Sequence, residues 1–188
     1  CDVIQITQQL SGALEALEQK RKSHGLFKFR FLNPVRIASQ TLAMTASSQY
    51  DIRLTSANGL YAYLFFVIRT NPISSANINS FLAIDSFELL DQDNTIVGIK
   101  TTNEMHKYDS LMFSGDILNS KQFYVVPFAL SIEAANNGAQ VGFYKFNTNE
   151  ILRLYTPAGF ANTSYRVDVY GYEYNVLKLN NGVLNVNK

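Results

Sequence analysis

The side chains that carry most enzyme chemistry are few in this sequence and far apart. His24 and His106 are the only histidines, and neither has a second ligand or a nucleophile at the spacing that a metal centre or a catalytic dyad requires. His24 stands beside Gly25, where an imidazole suits the C-terminal end of a helix and the glycine stops it. His106 sits in Glu104-Met105-His106-Lys107-Tyr108-Asp109, a polar stretch that reads as a loop or a short surface helix. Cys1 is the only cysteine, so neither an intrachain disulfide nor a cysteine metal cluster can form, and an intracellular setting fits. We therefore expect no catalytic residues, no cofactor, no metal ligands and no enzyme activity.

Weaker patterns have plainer explanations. Asp91-Gln92-Asp93-Asn94-Thr95 opens like a calcium loop, but the glycine position is Ile96 and the bidentate glutamate position is Thr102. A tight hairpin turn accounts for the same residues. Asn162-Thr163-Ser164 fits a glycosylation acceptor, a tripeptide that arises easily in an Asn-rich chain, and is given no role. Lys20, Arg21, Lys22, Lys28, Arg30 and Arg36 form a basic cluster, yet most of them fall where a wet helix face and a wet strand face are expected anyway. With 16 basic against 15 acidic residues, the net charge of +1 offers no global field to draw in nucleic acid or anionic lipid. Specific nucleic-acid recognition is not expected.

The elements around these residues are mostly strands. Hydrophobic residues make up 47% of the chain and charged residues 16%, with 13 Phe and 11 Tyr, a palette suited to strands and broad buried faces. At 188 residues one sizeable core is expected. Residues 11–24 form the one helical pattern, with Leu10, Ala13, Leu14 and Leu17 at helical spacing. From Gly25 the period becomes two: Phe27, Phe29 and Phe31 alternate with Lys28 and Arg30. Apolar runs at 41–46 and 50–54 follow, with turn signals at Asn33-Pro34, Ser47-Ser48 and Asn58-Gly59. Residues 60–68 are continuously apolar, the mark of a central strand covered on both faces, and they are the longest such run, well short of a membrane-spanning helix.

Strands are also expected at 81–90, 95–99, 121–132, 141–146, 150–155 and 164–179, while 101–113 is ambiguous. The count is about eight to ten strands without alternating helices, which favours a two-sheet sandwich, with the jelly roll as its natural eight-strand form. The fold class is thus all-β, a jelly-roll β-sandwich of about eight strands with one short N-terminal helix. We read 26–188 as the jelly-roll domain and 1–25 as an entry strand, at Asp2 to Thr7, and a helix. An opening that enters strand directly after Cys1 fits a piece of a longer polypeptide or a processed start.

One stretch carries more than patterning. Asp168-Val169-Tyr170-Gly171-Tyr172-Glu173-Tyr174-Asn175-Val176-Leu177-Lys178-Leu179, followed by Asn180-Asn181-Gly182, closely resembles the last long strand of viral double-jelly-roll major capsid proteins, the lineage of PRD1, adenovirus and large DNA viruses. Upstream and in the same order, Phe123-Tyr124-Val125-Val126-Pro127-Phe128-Ala129-Leu130 resembles a further strand of that family, and residues 60–69 its apolar strand ending in Arg. The residues that carry the resemblance are Phe123, Tyr124, Phe128, Leu130, Tyr170, Tyr174, Asn175, Val176, Leu177 and Gly182. The sequence departs from the family where a Pro-Ser-Gly turn is replaced by Asn136-Asn137-Gly138-Ala139-Gln140, and where a frequent Trp is replaced by Phe65 or Phe66.

The resemblance implies the C-terminal barrel of a tandem pair, and a structural role in the virion after assembly in the host cell interior. It implies a homotrimer forming a pseudo-hexameric capsomer of an icosahedral shell, with neighbouring capsomers, minor capsid proteins or an internal membrane as partners. The rival reading is a carbohydrate- or receptor-binding jelly roll such as a spike or vertex protein, which would present exposed rings in a loop-end cleft. A cupin-like enzyme would need a histidine cluster inside the barrel, and two isolated histidines do not supply one.

Overall fold

The computed structural model describes residues 26–78, 81–92, 94–101, 123–131, 135, 142–180 and 183–187. The expected helix at 11–24, the entry strand, both histidines, the 136–140 turn and Gly182 lie outside those residues. Ten strands run in order: β1 (Leu26–Met44), β2 (Gln49–Arg53), β3 (Asn58–Thr70), β4 (Ser86–Asp91), β5 (Asn94–Thr101), β6 (Phe123–Pro127), β7 (Tyr144–Asn147), β8 (Glu150–Tyr155), β9 (Thr163–Asn180) and β10 (Val183–Asn187). The chain divides into two compact units, Leu32–Tyr174 and a smaller one made of Cys1–Phe31 with Asn175–Lys188. The smaller unit holds a hairpin in which β10 pairs with the end of β9, from Val183 opposite Asn180 to Asn187 opposite Val176.

The larger unit is a sandwich of two sheets. One has the order β1-β9-β3-β6, with β7 also on β3, and the other the order β2-β8-β4-β5. Both β6 and β7 pair with β3, at Tyr63 to Val67 and at Asn58 to Tyr61 respectively, and the amides of Phe128 and Ala129 both donate to the carbonyl of Ala62 between them. They act as one interrupted strand. Counted that way, the larger unit has the two four-stranded layers of a jelly roll. Alternation sets its core. On β8, Glu150, Leu152 and Leu154 point inward while Ile151, Arg153 and Tyr155 point out. On β9, Val167 and Val169 are fully buried against Phe66, Leu89 and Phe146.

β3 is the central strand that its unbroken apolar run anticipates, buried on both faces. The hairpin expected at Asp91 to Asn94 joins β4 to β5, with those two residues paired and Gln92 in a left-handed conformation.

Two expectations are corrected. Asn33-Pro34 does not end a strand, and 41–46 does not begin one: β1 runs from Leu26 to Met44 through both. It is the first strand in its sheet order, and a proline at a sheet edge removes no ladder hydrogen bond on the open side. The strand expected at 81–90 starts only at Ser86. Residues 81–85 cross between sheets instead. Phe81 bridges Arg69 and the Leu82 amide donates to Ile68 in one sheet, and the Asp85 amide then donates to Tyr155 in the other.

Gly171 shows how closely side chains of the two flanking strands, β1 and β3, close over β9 within one sheet. A Cβ there would lie 2.5 Å from Ile37 Cδ1 and 2.6 Å from the Tyr61 ring, both in the core. Tyr61 is clamped edge-on against Phe146 at 5.1 Å and has little room to move. We expect Gly171→Ala to cost about 1–3 kcal/mol of overpacking, read as a lower denaturation midpoint in urea at unchanged slope. An unaltered midpoint would show that Tyr61 yields freely.

Candidate functional site

No pocket with convergent catalytic groups emerges from the described residues. The cleft of about 430 Å³ between the outer strands β5 and β6 is lined by Phe87, Ile96, Val97, Gly98, Val125, Val126 and Pro127, without a titratable side chain. No three His, Cys, Asp or Glu side chains come together among those residues. What the sheets do display is two outer faces of opposite chemistry.

The outer face of β9 and β3 is aromatic. Residues of even number on β9 point away from the core, and register sets Tyr170 opposite Phe65 and Tyr172 opposite Tyr63. The rings stack at 4.9 and 4.3 Å. Tyr63, Val125, Ala129 and Tyr174 form a second, smaller apolar cluster there, with Leu32, Phe65 and Tyr172 packed on it. Burial first, then the neighbouring Tyr172, pushes the Tyr63 hydroxyl above its ordinary value.

At one end of this face stands an ion-pair centre. Asp168 is completely buried, and its carboxylate accepts from the Ser39 hydroxyl at 2.7 Å, from Arg166 Nε at 3.0 Å and from Arg69 Nη2. Three strands, β1, β3 and β9, contribute to it. Burial raises the Asp168 carboxyl, but the Ser39 hydroxyl and the two guanidinium groups outweigh it and hold the group below its ordinary 3.8.

The opposite sheet's outer face is polar and self-satisfied. Asp51, Arg153 and Glu88 are directly opposite one another on β2, β8 and β4. Arg153 grips Asp51 with two bonds of 2.8 and 3.1 Å and reaches Glu88 at 3.4 Å, while the Tyr155 hydroxyl donates to Glu88 at 2.6 Å.

The sequence-derived residues distribute as follows. Tyr124 is a core pin: its ring stacks on Phe66 at 5.0 Å, and its hydroxyl accepts from the Ile84 amide at 2.9 Å, fixing the crossing between sheets. Phe123 opens β6, which ends at Pro127, so Phe128 and Leu130 lie beyond the strand expected to hold them. Phe128 packs on Tyr144 and Phe146, whereas Leu130 is 84% exposed. Tyr170 and Tyr174 belong to the aromatic face, Asn175 is buried, and Val176 and Leu177 pair with β10. The ion-pair centre was missed in the sequence, although the alternation Arg166-Val167-Asp168-Val169 and the Arg69 that ends an apolar run are visible signals.

Solved structures share this fold. The PBCV-1 virus capsid, as a quasi-atomic model, matches 92% of this chain and 54% of its own at 15% identity, with a TM-score of 0.66. PBCV-1 VP54, fitted into a cryo-EM reconstruction of the virophage Sputnik, matches the same shares at 17% identity and TM-score 0.67. The Faustovirus major capsid protein matches 88% of this chain and 36% of its own at 8% identity and TM-score 0.60. The fold is the one these capsid proteins carry. This chain spans about half the length of the PBCV-1 chains it matches. No protein-family model and no curated protein matches the sequence.

Because its folded pKa is lowered, Asp168 contributes stability that is fully present above about pH 3.8 and is lost as the pH falls through the folded value. We expect Asp168→Asn, which strands two guanidinium groups, to cost about 3–5 kcal/mol near neutral pH and to flatten the acid limb of the stability curve. Equal acid limbs for both proteins, measured by denaturation across pH, would remove Asp168 from that role.

Proposed function

We propose that the chain is a structural part of a virus capsid: one jelly roll of a double-jelly-roll major capsid protein that trimerises into pseudo-hexameric capsomers. Residues 26–188 would form that jelly roll and 1–25 the approach to it from an upstream barrel. The observation that carries the reading is the match of this fold, over 92% of the chain, to capsid proteins of which it spans about half. The quoted motif in β9 agrees, since its alternating Tyr170, Tyr172 and Tyr174 build the aromatic outer face while Val169 and Gly171 close the core.

The physical character of the molecule suits an assembly role. Obligate interfaces resemble cores cut in half, rich in aromatic area and poor in charge. The outer face of β3 and β9 has that composition, and Leu130 and Phe143 add exposed apolar surface at 84% and 47%. The stacked rings of Phe65, Tyr170, Tyr63 and Tyr172 lie against each other on a sheet face, and no observation favours a sugar-binding cleft. On this reading the protein acts in the virion, with itself and neighbouring capsomers as partners, and catalyses nothing.

Light scattering on the parent polypeptide should give three times its monomer mass, and electron microscopy of the particles a hexagonal outline. A monomer that binds defined glycans through its rings would overturn the capsid reading and favour a receptor-binding module.

A further inference from the structure

At one end of the sandwich interior two carboxylate residues stand opposite each other on neighbouring strands, and no cationic side chain among the described residues forms an ion pair with either. Asp91 on β4 and Glu150 on β8 are directly opposite in the strand register. Both point inward, since each continues a row of core residues: Phe87 and Leu89 lead to Asp91, and Leu154 and Leu152 lead to Glu150. Like charges facing each other across a strand pair destabilise a sheet. Glu150 is fully buried, and only one of its oxygens is satisfied: Oε1 accepts from the Asn147 amide at 2.8 Å, while Oε2 has no hydrogen-bond partner. A buried carboxylate oxygen left bare costs several kcal/mol unless a positive charge or a proton answers it.

The other sheet faces the same spot. Tyr144 on β7 is on the inward row with Phe146, and both rings are in contact at 4.8 Å. Burial first, then the charges of Asp91 and Glu150, pushes its hydroxyl above the ordinary value, so both carboxylates lie near that ring. Asp91 is only partly buried and gives a path from solvent, which Glu150 lacks.

From this arrangement we propose that Asp91 and Glu150 bind a hard divalent cation, calcium or magnesium, at the mouth of the sandwich interior. Two carboxylates from adjacent strands supply the charge, and water completes the oxygen shell such ions take. The site differs from the calcium-loop pattern around Asp91, because its second carboxylate comes from another strand and not from further along the same loop. It ties β4 to β8 where β7 turns into β8, so occupancy would stiffen that end of the barrel.

Thermal unfolding of the purified protein in chelator, in calcium and in magnesium tests this. A hundredfold excess of the cation over its dissociation constant should raise the midpoint by roughly 5–10 °C. Asp91→Asn and Glu150→Gln should each abolish that rise, and Glu150→Gln should also unfold later than the parent in chelator. Asp91→Asn, at the partly exposed residue, serves if the buried substitution does not fold. Terbium excited through tyrosine gives a second readout: its emission should fall in Tyr144→Phe and on adding calcium. The proposal fails if neither cation moves the parent midpoint. It also fails if the variants keep the full rise, or if the terbium signal ignores Tyr144 and Asp91.

Discussion

The packing of β9 against β3 is the contact on which the remaining structure rests. Nine residue pairs link the two strands, from Tyr61 opposite Glu173 to Thr70 opposite Tyr165. One end is held by charge, where Arg69 of β3 and Arg166 of β9 hold the buried Asp168. Toward the other end it is held by shape, where Gly171 admits the Tyr61 ring. Just past Gly171 the register slips once, at Tyr61/Tyr63, and the slip lets Tyr61 face the core while Tyr63 faces outward. A slip at any other place would turn the aromatic row inward and the aliphatic row outward. The inner and outer faces of the larger sheet are thus fixed by one irregularity and one glycine.

Corners where the chain changes sheets are held by hydroxyl groups more than by apolar contact. Thr156, after β8, donates to the Thr45 carbonyl at 2.5 Å and accepts from the Ser48 amide at 3.0 Å, fastening the β1–β2 corner to the end of β8. The Tyr50 hydroxyl accepts from the Thr45 amide at 2.7 Å and shares a bond of 3.2 Å with the Thr45 hydroxyl, and the Thr45 side chain first, then its amide, draws the Tyr50 pKa down against burial. Tyr124 does the equivalent at Ile84. Backbone groups that leave a sheet ladder at a corner lose their strand partners, and short hydroxyl side chains replace them without adding charge to the interior.

The strand expected at 150–155 matches β8 to the residue, and the Asp-Asn turn located the β4–β5 hairpin. The continuous apolar run of β3 marked it as a strand covered on both sides. What local signals misjudged were features decided by neighbours in space. Asn33-Pro34 is a turn signal in isolation, and only the position of β1 in the sheet order makes it strand. The run at 81–90 has the right composition for one strand, yet its first five residues serve as a crossing because their amides find acceptors in two different sheets. Hairpin chemistry at Asn181-Gly182 was readable, but what followed was not counted as a strand, and β10 occupies it. The ion-pair centre needed three strands to be in place before its members became neighbours.

Several edges of this domain are guarded against pairing with other strands. β1, β2 and β7 lie at sheet margins, as do β5 and β6. An edge strand with open amides invites pairing with any other strand, which in a crowded assembly would compete with the intended contacts. Three of these margins are blunted: β1 carries Pro34 and the exposed Arg36, Gln49, Asp51 and Arg53 are exposed along β2, and Lys145 is exposed on β7. Charge and proline thus disfavour strand addition at those three, and the polar face around Arg153 is already satisfied within the molecule. Of the aromatic face, Phe65, Tyr170 and Tyr172 stay partly open while Tyr63 and Tyr174 are buried, and Ile78, Leu130 and Phe143 are exposed apolar side chains from which removing water is favourable. Apolar surface of this kind is set by strand register and side-chain packing and leaves no short residue signature, so the sequence carries a legible fold motif and no legible interface motif.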